Sequence, residues 1–401
     1  MMRQVRFAPT LIFSCGGGGF GVYKRRCWWY ISLTMTIPTD LPLMQVAAAL
    51  RAVAVREAAL SELPPPEREA AAFAAVLADL PCAVHSEELL AGDWGWQFAS
   101  AEARETVSAV LSTPPTPAGE PSVLQLLDER FHCRAGWSPA HTCADYRMVV
   151  GRGLRSLLFH LGEAFEGAEG ERASTLRAMR VAVQGVIAFA HRLAELAERQ
   201  GLADVAAICR KVPEQPAETM REALQAIWIV HLAVGVSEYC DSSLSLGRLD
   251  QYLYPLFESD RQRGVPLEEL HGLLVEFWRK LNRFGDPACA VNLGGQDAAG
   301  NDLWNPLTDL IVAVTREVRL PSPILAARVH DKLPDEVFDA LLSPELLTIG
   351  QPTFYGEDAC RETMVRRGVP VGQAARFAIN SCMGLVMPGE EIADMWGVVT
   401  N

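Results

Sequence analysis

The sequence lacks the cysteine spacing of a disulfide framework or a structural zinc site. Its ten cysteines are scattered, no CxxC pair occurs, and no His/Cys cluster has the spacing of zinc ligands. Disulfide-rich secreted scaffolds and zinc modules are therefore not expected. Most of these thiols are expected to be small core residues in a reducing cytoplasm.

The chain also lacks a surplus of positive charge and any long apolar run. Its formal net charge is −13, whereas nucleic acid or an anionic membrane would attract a concentrated basic surface. A membrane-spanning helix needs about 20 apolar residues in a row, and no such run is present. Because 401 residues that are 49% hydrophobic can bury a large core, we expect a cytoplasmic enzyme or carrier.

The first 34 residues differ in composition from the rest. They contain a Gly-rich stretch, residues 16–19, and an apolar run, residues 11–13, that is too short for the core of a signal peptide. We interpret residues 1–34 as non-globular or as a misassigned start before Met35, and residues 35–401 as the folded domain. Detection of a peptide from residues 1–34 in the native protein would contradict the second interpretation.

Helical periodicity dominates the first half of the globular part. Two helices are predicted over residues 43–80, separated by three prolines at 64–66. A long helix is predicted over 172–200, with a stripe that includes Leu176, Met179 and Val183, and another over 216–234. Residues 113–121 are predicted to form a surface loop rich in Pro and Thr.

Short strand candidates alternate with helices in the second half. The predicted strands are residues 242–250, 290–295, 324–329 and 352–355. The predicted helices that follow them are residues 266–282, 305–318, 334–347 and 371–379. Helices of this length can cross back over a sheet, so the pattern predicts parallel strands in an α/β barrel or a doubly wound sheet.

Cys382 lies on a predicted loop, residues 380–384, directly after the last of these helices. Loops at strand ends carry the chemistry in parallel α/β folds. From the residues alone, this cysteine could be a nucleophile, a hydrogen-atom donor, a metal ligand or a buried bystander.

Other constellations give weaker indications. The glycines at 16–19, 151–153 and 294–295 do not match a phosphate-binding loop. Residues 141–146 (HTCADY) could bind a metal or face a substrate, or His141 could pack locally. Arg248 and Asp250 are expected to form a buried pair that fixes a strand end.

Several motifs in one order resemble the glycyl radical enzymes of the pyruvate formate-lyase family. The resemblance covers roughly residues 86–401. It is carried by HT..DY with Gly153 (141–153), EALQAIW (222–228), SLGRLDQYLYP (245–255), NLGG with Asp297, Gly300 and NPLT (292–308), PSP with RVH (321–330), and GQPTF with Asp358 (350–358).

The resemblance implies an α/β barrel of two parallel half-barrels, with a helix-rich N-terminal half. It implies that Cys382 is the thiyl radical residue, and that a glycyl radical on a C-terminal segment oxidises it. It further implies a small organic substrate, with pocket residues His141, Ser245, Phe354 and Asn380. An iron–sulfur activating enzyme that uses S-adenosylmethionine and a second copy of the chain are the implied partners, with no metal or organic cofactor on this chain.

Three positions depart from the family pattern. Gly384 stands where the eliminases keep an acid/base glutamate, and Glu390 and Glu391 do not match that position. Ser381 stands where pyruvate formate-lyase has a second cysteine. No R-V-x-G-Y segment follows Cys382, and Arg147 to Gly151 has only a passing likeness to it. We expect that the chain is a fragment of such an enzyme, in preference to a chain whose radical glycine is supplied by another polypeptide. The alternative to an enzyme is an inert family remnant or a partner subunit.

Overall fold

The computed structural model describes residues 62–112, 141–237, 244–286, 288–380 and 384–391, and the helical residues Val46, Ala47, Leu50 and Ala54. The segment 1–34 and the predicted loop 113–121 lie outside the described residues, as do Ser381 and Cys382. In the described part, no helix is both long enough and apolar enough to cross a membrane.

The N-terminal half is helical, as predicted. Its elements are α1 (Pro65–Asp79), β1 (Cys82–Ala83), β2 (Asp93–Trp94), α2 (Ala101–Ser112), α3 (Tyr146–Phe165), α4 (Gly170–Arg199), α5 (Ala203–Lys211) and α6 (Met220–Ser237). Helix α1 begins within the three prolines, where a proline in the first turn lacks only an N–H that has no helical partner.

Helix α4 buries the predicted stripe except at Met179. Met179 is 50% exposed, whereas Leu176 and Val183 are half-buried and Leu193 is buried. Gly185 lies against α1, where an added Cβ would be 3.0 Å from the Cβ atom of Ala74. The buried face thus also includes a glycine at a close approach of two helices, which a count of large apolar residues does not detect.

The C-terminal half alternates strands and helices. Its helices are α7 (Leu249–Tyr252), α8 (Tyr254–Gln262), α9 (Leu267–Phe284), α10 (Pro306–Val318), α11 (Asp335–Leu341), α12 (Pro344–Thr348), α13 (Glu357–Arg366) and α14 (Val371–Ala374). Its strands are β3 (Ala290–Gly294), β4 (Ile324–Val329), β5 (Thr353–Gly356), β6 (Ala378–Asn380) and β7 (Gly384–Val386).

Strands β3, β4 and β5 form a parallel sheet in that order. Isolated parallel bridges extend it past β3, from Val291 to Gly247 and from Ser245 to Cys143. Five parallel segments therefore lie side by side, which confirms the predicted α/β class and the parallel half-barrel strands. The described part of the predicted strand 242–250 forms only two bridges and ends early, because α7 begins at Leu249.

The two faces of this sheet have different neighbours. Leu293, Leu325 and Ala327 belong to the main core, which includes helix residues such as Phe277 of α9. Ala326, on the other face, packs with residues of the segment that leads into β6. Helices thus cover one face, and the strand pair β6–β7 contacts the other.

Two predicted helices are wrong in detail. Residues 334–347 form two short helices, α11 and α12, since Ser343 and Pro344 begin a new helix. Residues 371–379 contain only the four-residue α14 before the chain enters β6. The backbone of β6 bonds to β7 and to a side chain of the sheet, and these contacts override its local helical pattern.

Candidate functional site

The residues that flank Cys382 form a small antiparallel pair. Strand β6 pairs with β7, and Asn380 is the partner of Gly384. Ser381, Cys382 and Met383 connect these two residues in the sequence and lie outside the described residues. The structure thus describes the strands on either side of Cys382. The role of Cys382 as the thiyl residue stays a prediction. We call β6 and β7 the cysteine hairpin.

Asn292 ties the cysteine hairpin to the middle of the sheet. Its Nδ2 donates to the carbonyl oxygen of Ile379 at 3.0 Å, and its Oδ1 accepts from the N–H of Ile379 at 2.5 Å. The side chain is 1% exposed. An amide side chain offers a donor and an acceptor together, so Asn292 takes the place of a neighbouring strand. Sequence reasoning used Asn292 as part of a motif and gave it no role.

Arg328 holds the segment that leads into the cysteine hairpin. Its guanidinium forms a bidentate pair with Glu357, at 2.8 and 2.6 Å, and both side chains are fully buried. The same group donates to the carbonyl oxygens of Phe377 and Ala375 at 3.0 and 3.1 Å. It also lies 3.8 Å from the centre of the Phe377 ring. A buried charge that is paired in this way fixes the geometry of the chain around it.

Three of the predicted pocket residues meet beside the cysteine hairpin. Asn380 donates through Nδ2 to the carbonyl oxygen of His141, while its buried Oδ1 has no partner in the described part of the chain. Ser245 is fully buried, and its N–H donates to the carbonyl oxygen of Thr142 at 2.9 Å. The backbone of residues 141–142 therefore joins Asn380 to Ser245.

Phe354, the fourth predicted pocket residue, lies apart from the others. Its register partner is Ala327, a residue of the helix-facing core, and its ring stacks on Phe338 of α11 at 6.0 Å. The next residue, Tyr355, packs on the cluster at the hairpin face instead. Because side chains alternate along a strand, Phe354 points away from the cysteine hairpin, and Tyr355 is the strand residue that faces it.

Cys143 is a buried packing residue of the site. It contacts Ala378 and Val386 of the cysteine hairpin, and burial raises the pKa of its thiol to about 12. A thiol with such a pKa is a poor nucleophile and a poor metal ligand at neutral pH. The motif 141–146 accordingly forms no cluster of three metal ligands within the described residues.

The described residues do contain one group of three potential metal ligands elsewhere, His85, Glu88 and Asp93, with ligand atoms within 4.8 Å of one another. Lys280, which is fully buried, lies 3.2 Å from a carboxylate oxygen of each acid. Arg283 pairs with Asp93 at 2.5 Å. Two cations thus already balance the two carboxylates, and the group is a structural ion-pair network.

Arg248 and Asp250 do not form the ion pair that was predicted. Asp250 instead accepts from the N–H of Gly294 at 2.7 Å and from the hydroxyl of Thr308 at 2.8 Å. It fixes the end of β3 without Arg248, and burial raises its pKa. Arg248 donates to the carbonyl oxygen of Ala375 at 3.2 Å. Both residues therefore position the backbone of the site through partners other than each other.

A buried hydrogen bond between Tyr146 and His231 joins the end of the 141–146 segment to helix α6. The Tyr146 hydroxyl lies 3.0 Å from Nδ1 of His231 on α6, and His231 packs between Trp228 and Phe284. Burial lowers the pKa of His231 to about 3, so the ring is neutral. Sequence reasoning missed this pair, although a histidine on an otherwise apolar helix face is the signal that could have indicated it.

The two glutamates after the cysteine hairpin, Glu390 and Glu391, are both engaged in ion pairs. Glu390 pairs with Arg376 at 2.6 Å. Glu391 accepts from Arg367 at 2.6 Å and from the N–H of Met387 at 2.7 Å. Gly384 contributes no side chain at the position that the eliminase pattern gives to its acid. The structure thus supplies no substitute for that acid from Glu390 or Glu391.

Comparisons with known proteins agree with this architecture. The chain is 28% identical over 291 residues to isethionate sulfite-lyase of Oleidesulfovibrio alaskensis, covering 64% of this chain and 35% of that protein. It is 25% identical over 247 residues to trans-4-hydroxy-L-proline dehydratase of Clostridioides difficile, covering 55% of this chain and 31% of that protein. The chain therefore spans about a third of the length of the curated relatives it matches.

Two solved structures share the fold. A glycyl radical enzyme from Archaeoglobus fulgidus superposes with a TM-score of 0.72 at 24% identity, over 86% of this chain and 53% of that one. The B12-independent glycerol dehydratase from Clostridium butyricum superposes with a TM-score of 0.74 at 21% identity, over 86% of this chain and 52% of that one. The family described as pyruvate formate lyase-like matches residues 134–401, which include every element of the site. The chain belongs to the pyruvate formate lyase-like family of glycyl radical enzymes.

Proposed function

We propose that Cys382 is the hydrogen-abstracting thiyl residue of a glycyl radical enzyme that acts on a small organic substrate. The observation that carries this proposal is the way the cysteine hairpin is held. Asn292 binds both backbone groups of Ile379, and Arg328 binds the carbonyl oxygens of Ala375 and Phe377. A reacting atom has to be held close to its target, and these contacts restrain the chain on the N-terminal side of Cys382.

The proposed step moves one hydrogen atom. The thiyl sulfur takes a hydrogen from a substrate C–H bond, so that an S–H bond forms and the unpaired electron passes to carbon. After the substrate radical has reacted, the S–H bond returns the hydrogen. The S–H and C–H bond strengths are close, which allows transfer in both directions. We propose that a glycyl radical generates the thiyl radical on Cys382. An iron–sulfur activating enzyme that uses S-adenosylmethionine would install the glycyl radical.

The proposed substrate pocket lies beside the hairpin at His141, Ser245 and Asn380. The unpartnered Oδ1 of Asn380 is an acceptor for a hydroxyl or amine of the substrate. The matched relatives are a lyase and a dehydratase. We therefore propose that the reaction of this enzyme is also of the lyase type. Its acid/base group would have to come from a residue other than Gly384, and Ser381 argues against acyl transfer to a second thiol.

A second candidate is an inert family member that acts as a partner subunit. Gly384 and Ser381 favour it, because neither position carries the side chain that the two well-defined reaction types require. Both candidates predict the same fold, and they differ in whether Cys382 exchanges hydrogen with a glycyl radical.

The experiment is electron paramagnetic resonance on the complete gene product after anaerobic activation. A glycyl radical gives a doublet that is split by its α-hydrogen. If Cys382 shuttles hydrogen between that carbon and solvent, the splitting collapses in D₂O. We expect the splitting to persist in Cys382→Ala and Cys382→Ser, both without turnover, and to collapse in the control Cys360→Ala. Collapse in Cys382→Ala would contradict the proposal, and failure of activation to yield any radical would favour the partner subunit.

A further inference from the structure

A cavity of about 700 Å³ opens between the start of α3 and helices α7 and α8. Its wall includes Cys143, Gly247 and Pro388, so it borders the cysteine hairpin without including His141, Ser245 or Asn380. This volume is within the range of small-molecule sites, about 300 to 1,000 Å³. None of the residues that were proposed above to contact the substrate lines this cavity.

The charge on the cavity wall is predominantly positive. Asp145 is the only acid among the described residues that line it. Four arginines also line it: Arg147, Arg152, Arg248 and Arg376. Asp145 is engaged at the start of α3, where its Oδ1 accepts from the N–H of Met148 at 3.0 Å. Arg376 pairs with Glu390. Within the described residues, Arg147 and Arg152 have no ion-pair partner.

Arg248 is the inner cation of this wall. One N–H donates to the carbonyl oxygen of Ala375, while its buried Nε and Nη2 have no hydrogen-bond partner among the residues that the structure describes. Arg328, the other guanidinium at that carbonyl, has a carboxylate of its own in Glu357. Asp250 and Glu357 interact electrostatically with this guanidinium, but within the described residues neither forms an ion pair with it. A bound anion would accept from its buried N–H groups and offset the cost of leaving them unsatisfied.

We propose that this cavity binds a small organic oxyanion, with Arg248 at its inner end and Arg147 and Arg152 at its mouth. A carboxylate, sulfonate or phosphate group offers paired oxygens that match the planar fork of a guanidinium. The volume exceeds what one inorganic anion needs, so the ligand carries an organic part that lies along the apolar wall of Tyr252, Pro255 and Leu256. The site is distinct from the proposed hydrogen-abstraction pocket.

Isothermal titration calorimetry of the 401-residue chain tests this proposal, with succinate and inorganic phosphate as probes. Ionic strength is held constant with sodium chloride, because general screening would otherwise mimic binding. We expect saturable binding of both probes, weakened about tenfold or more in Arg147→Gln/Arg152→Gln. Both side chains are exposed, so the fold should tolerate the change. The matched control is Arg172→Gln/Arg180→Gln, two exposed arginines of α4.

Arg248→Lys is the second variant. It keeps the charge and can still donate to the carbonyl of Ala375, but it loses the planar fork, so we expect weaker binding with an unchanged unfolding temperature. No saturable heat with either probe would overturn the proposal. Equal affinity in the wild type and in Arg147→Gln/Arg152→Gln would overturn it as well. If Arg248→Lys does not fold, the comparison between the two double variants decides.

Discussion

Asn292 makes the two hydrogen bonds that join the cysteine hairpin to the sheet, and its replacement tests the hairpin's anchoring directly. Asn292→Ala would leave the N–H and the carbonyl oxygen of Ile379 buried without partners. Each unsatisfied group costs about 1–3 kcal/mol, so for the two groups we expect a loss of about 2–6 kcal/mol. This loss should fall on the hairpin, because Asn292 contacts the rest of the sheet through its backbone, which donates to the carbonyl oxygen of Gly247 and is kept in the variant.

Hydrogen exchange measured by mass spectrometry separates local from global effects. A local loss of about 3 kcal/mol lowers protection of the peptide 377–387 by about two orders of magnitude, since each 1.4 kcal/mol is tenfold. The control is Asn301→Ala, an exposed asparagine in the loop after β3, which should leave that protection unchanged. Unchanged protection in Asn292→Ala would refute the anchoring role.

Asn292→Asp sharpens the test through pH. The introduced carboxyl can accept from the N–H of Ile379, but only its protonated form can donate to the carbonyl oxygen. Burial and this hydrogen bond raise its folded-state pKa above the unfolded value of about 4. Hairpin stability should therefore be greatest at low pH and decline as pH rises through the folded pKa. Asn292→Ala should show no such dependence, and a pH-independent Asn292→Asp would contradict the geometry.

Three further outcomes follow from other contacts of the site. Arg328→Met leaves Glu357 buried without its cation, and urea unfolding should show a loss of about 3–5 kcal/mol, which Glu357→Gln in the same chain should partly restore. Gly247→Ala places a Cβ 3.1 Å from Sγ of Cys143 at a φ of 61°. We expect a destabilisation of about 1–2 kcal/mol in urea unfolding, and an unchanged stability would contradict the close approach. His231 has a pKa of about 3 when folded and about 6.5 when unfolded, so its share of stability is present above pH 6.5 and is lost as pH falls toward 3. Between pH 7 and 4.5 the wild type should therefore lose about 2–3 kcal/mol more than His231→Gln in urea unfolding; equal losses would contradict a neutral buried ring.

The sequence predicted the elements whose pattern is local. Strand β4 was predicted with its observed bounds, and α10 to within one residue, because Asn305 and Pro306 give a strong helix start. The prediction from sequence failed where contacts with residues distant in the chain determine the secondary structure. The segment at β6 has a helical pattern but forms a strand, since Asn292 and β7 supply its hydrogen bonds.

Predictions of the site differed in the same way. The order of the motifs indicated that residues 141, 245 and 380 belong together, and the backbone of residues 141–142 does contact the Asn380 side chain and the Ser245 backbone. Side-chain direction was not accessible from the sequence. Phe354 and Tyr355 are adjacent, and only the register of β5 against β4 shows which of them faces the hairpin. The pairing of Arg248 with Asp250 was wrong, because each residue has a nearer partner that is distant in the sequence.

The contacts that hold the cysteine hairpin also imply an order of assembly. They join residues 47, 87 and 239 positions apart in the chain: Arg328 with Ala375, Asn292 with Ile379, and His141 with Asn380. Closing loops of such length costs entropy that few hydrogen bonds can offset. The hairpin should therefore dock after β3 and β4 have paired, as one of the last events of folding. A nascent or partly folded chain would then hold its candidate radical residue unpositioned, and only the completed sheet would bring it into place.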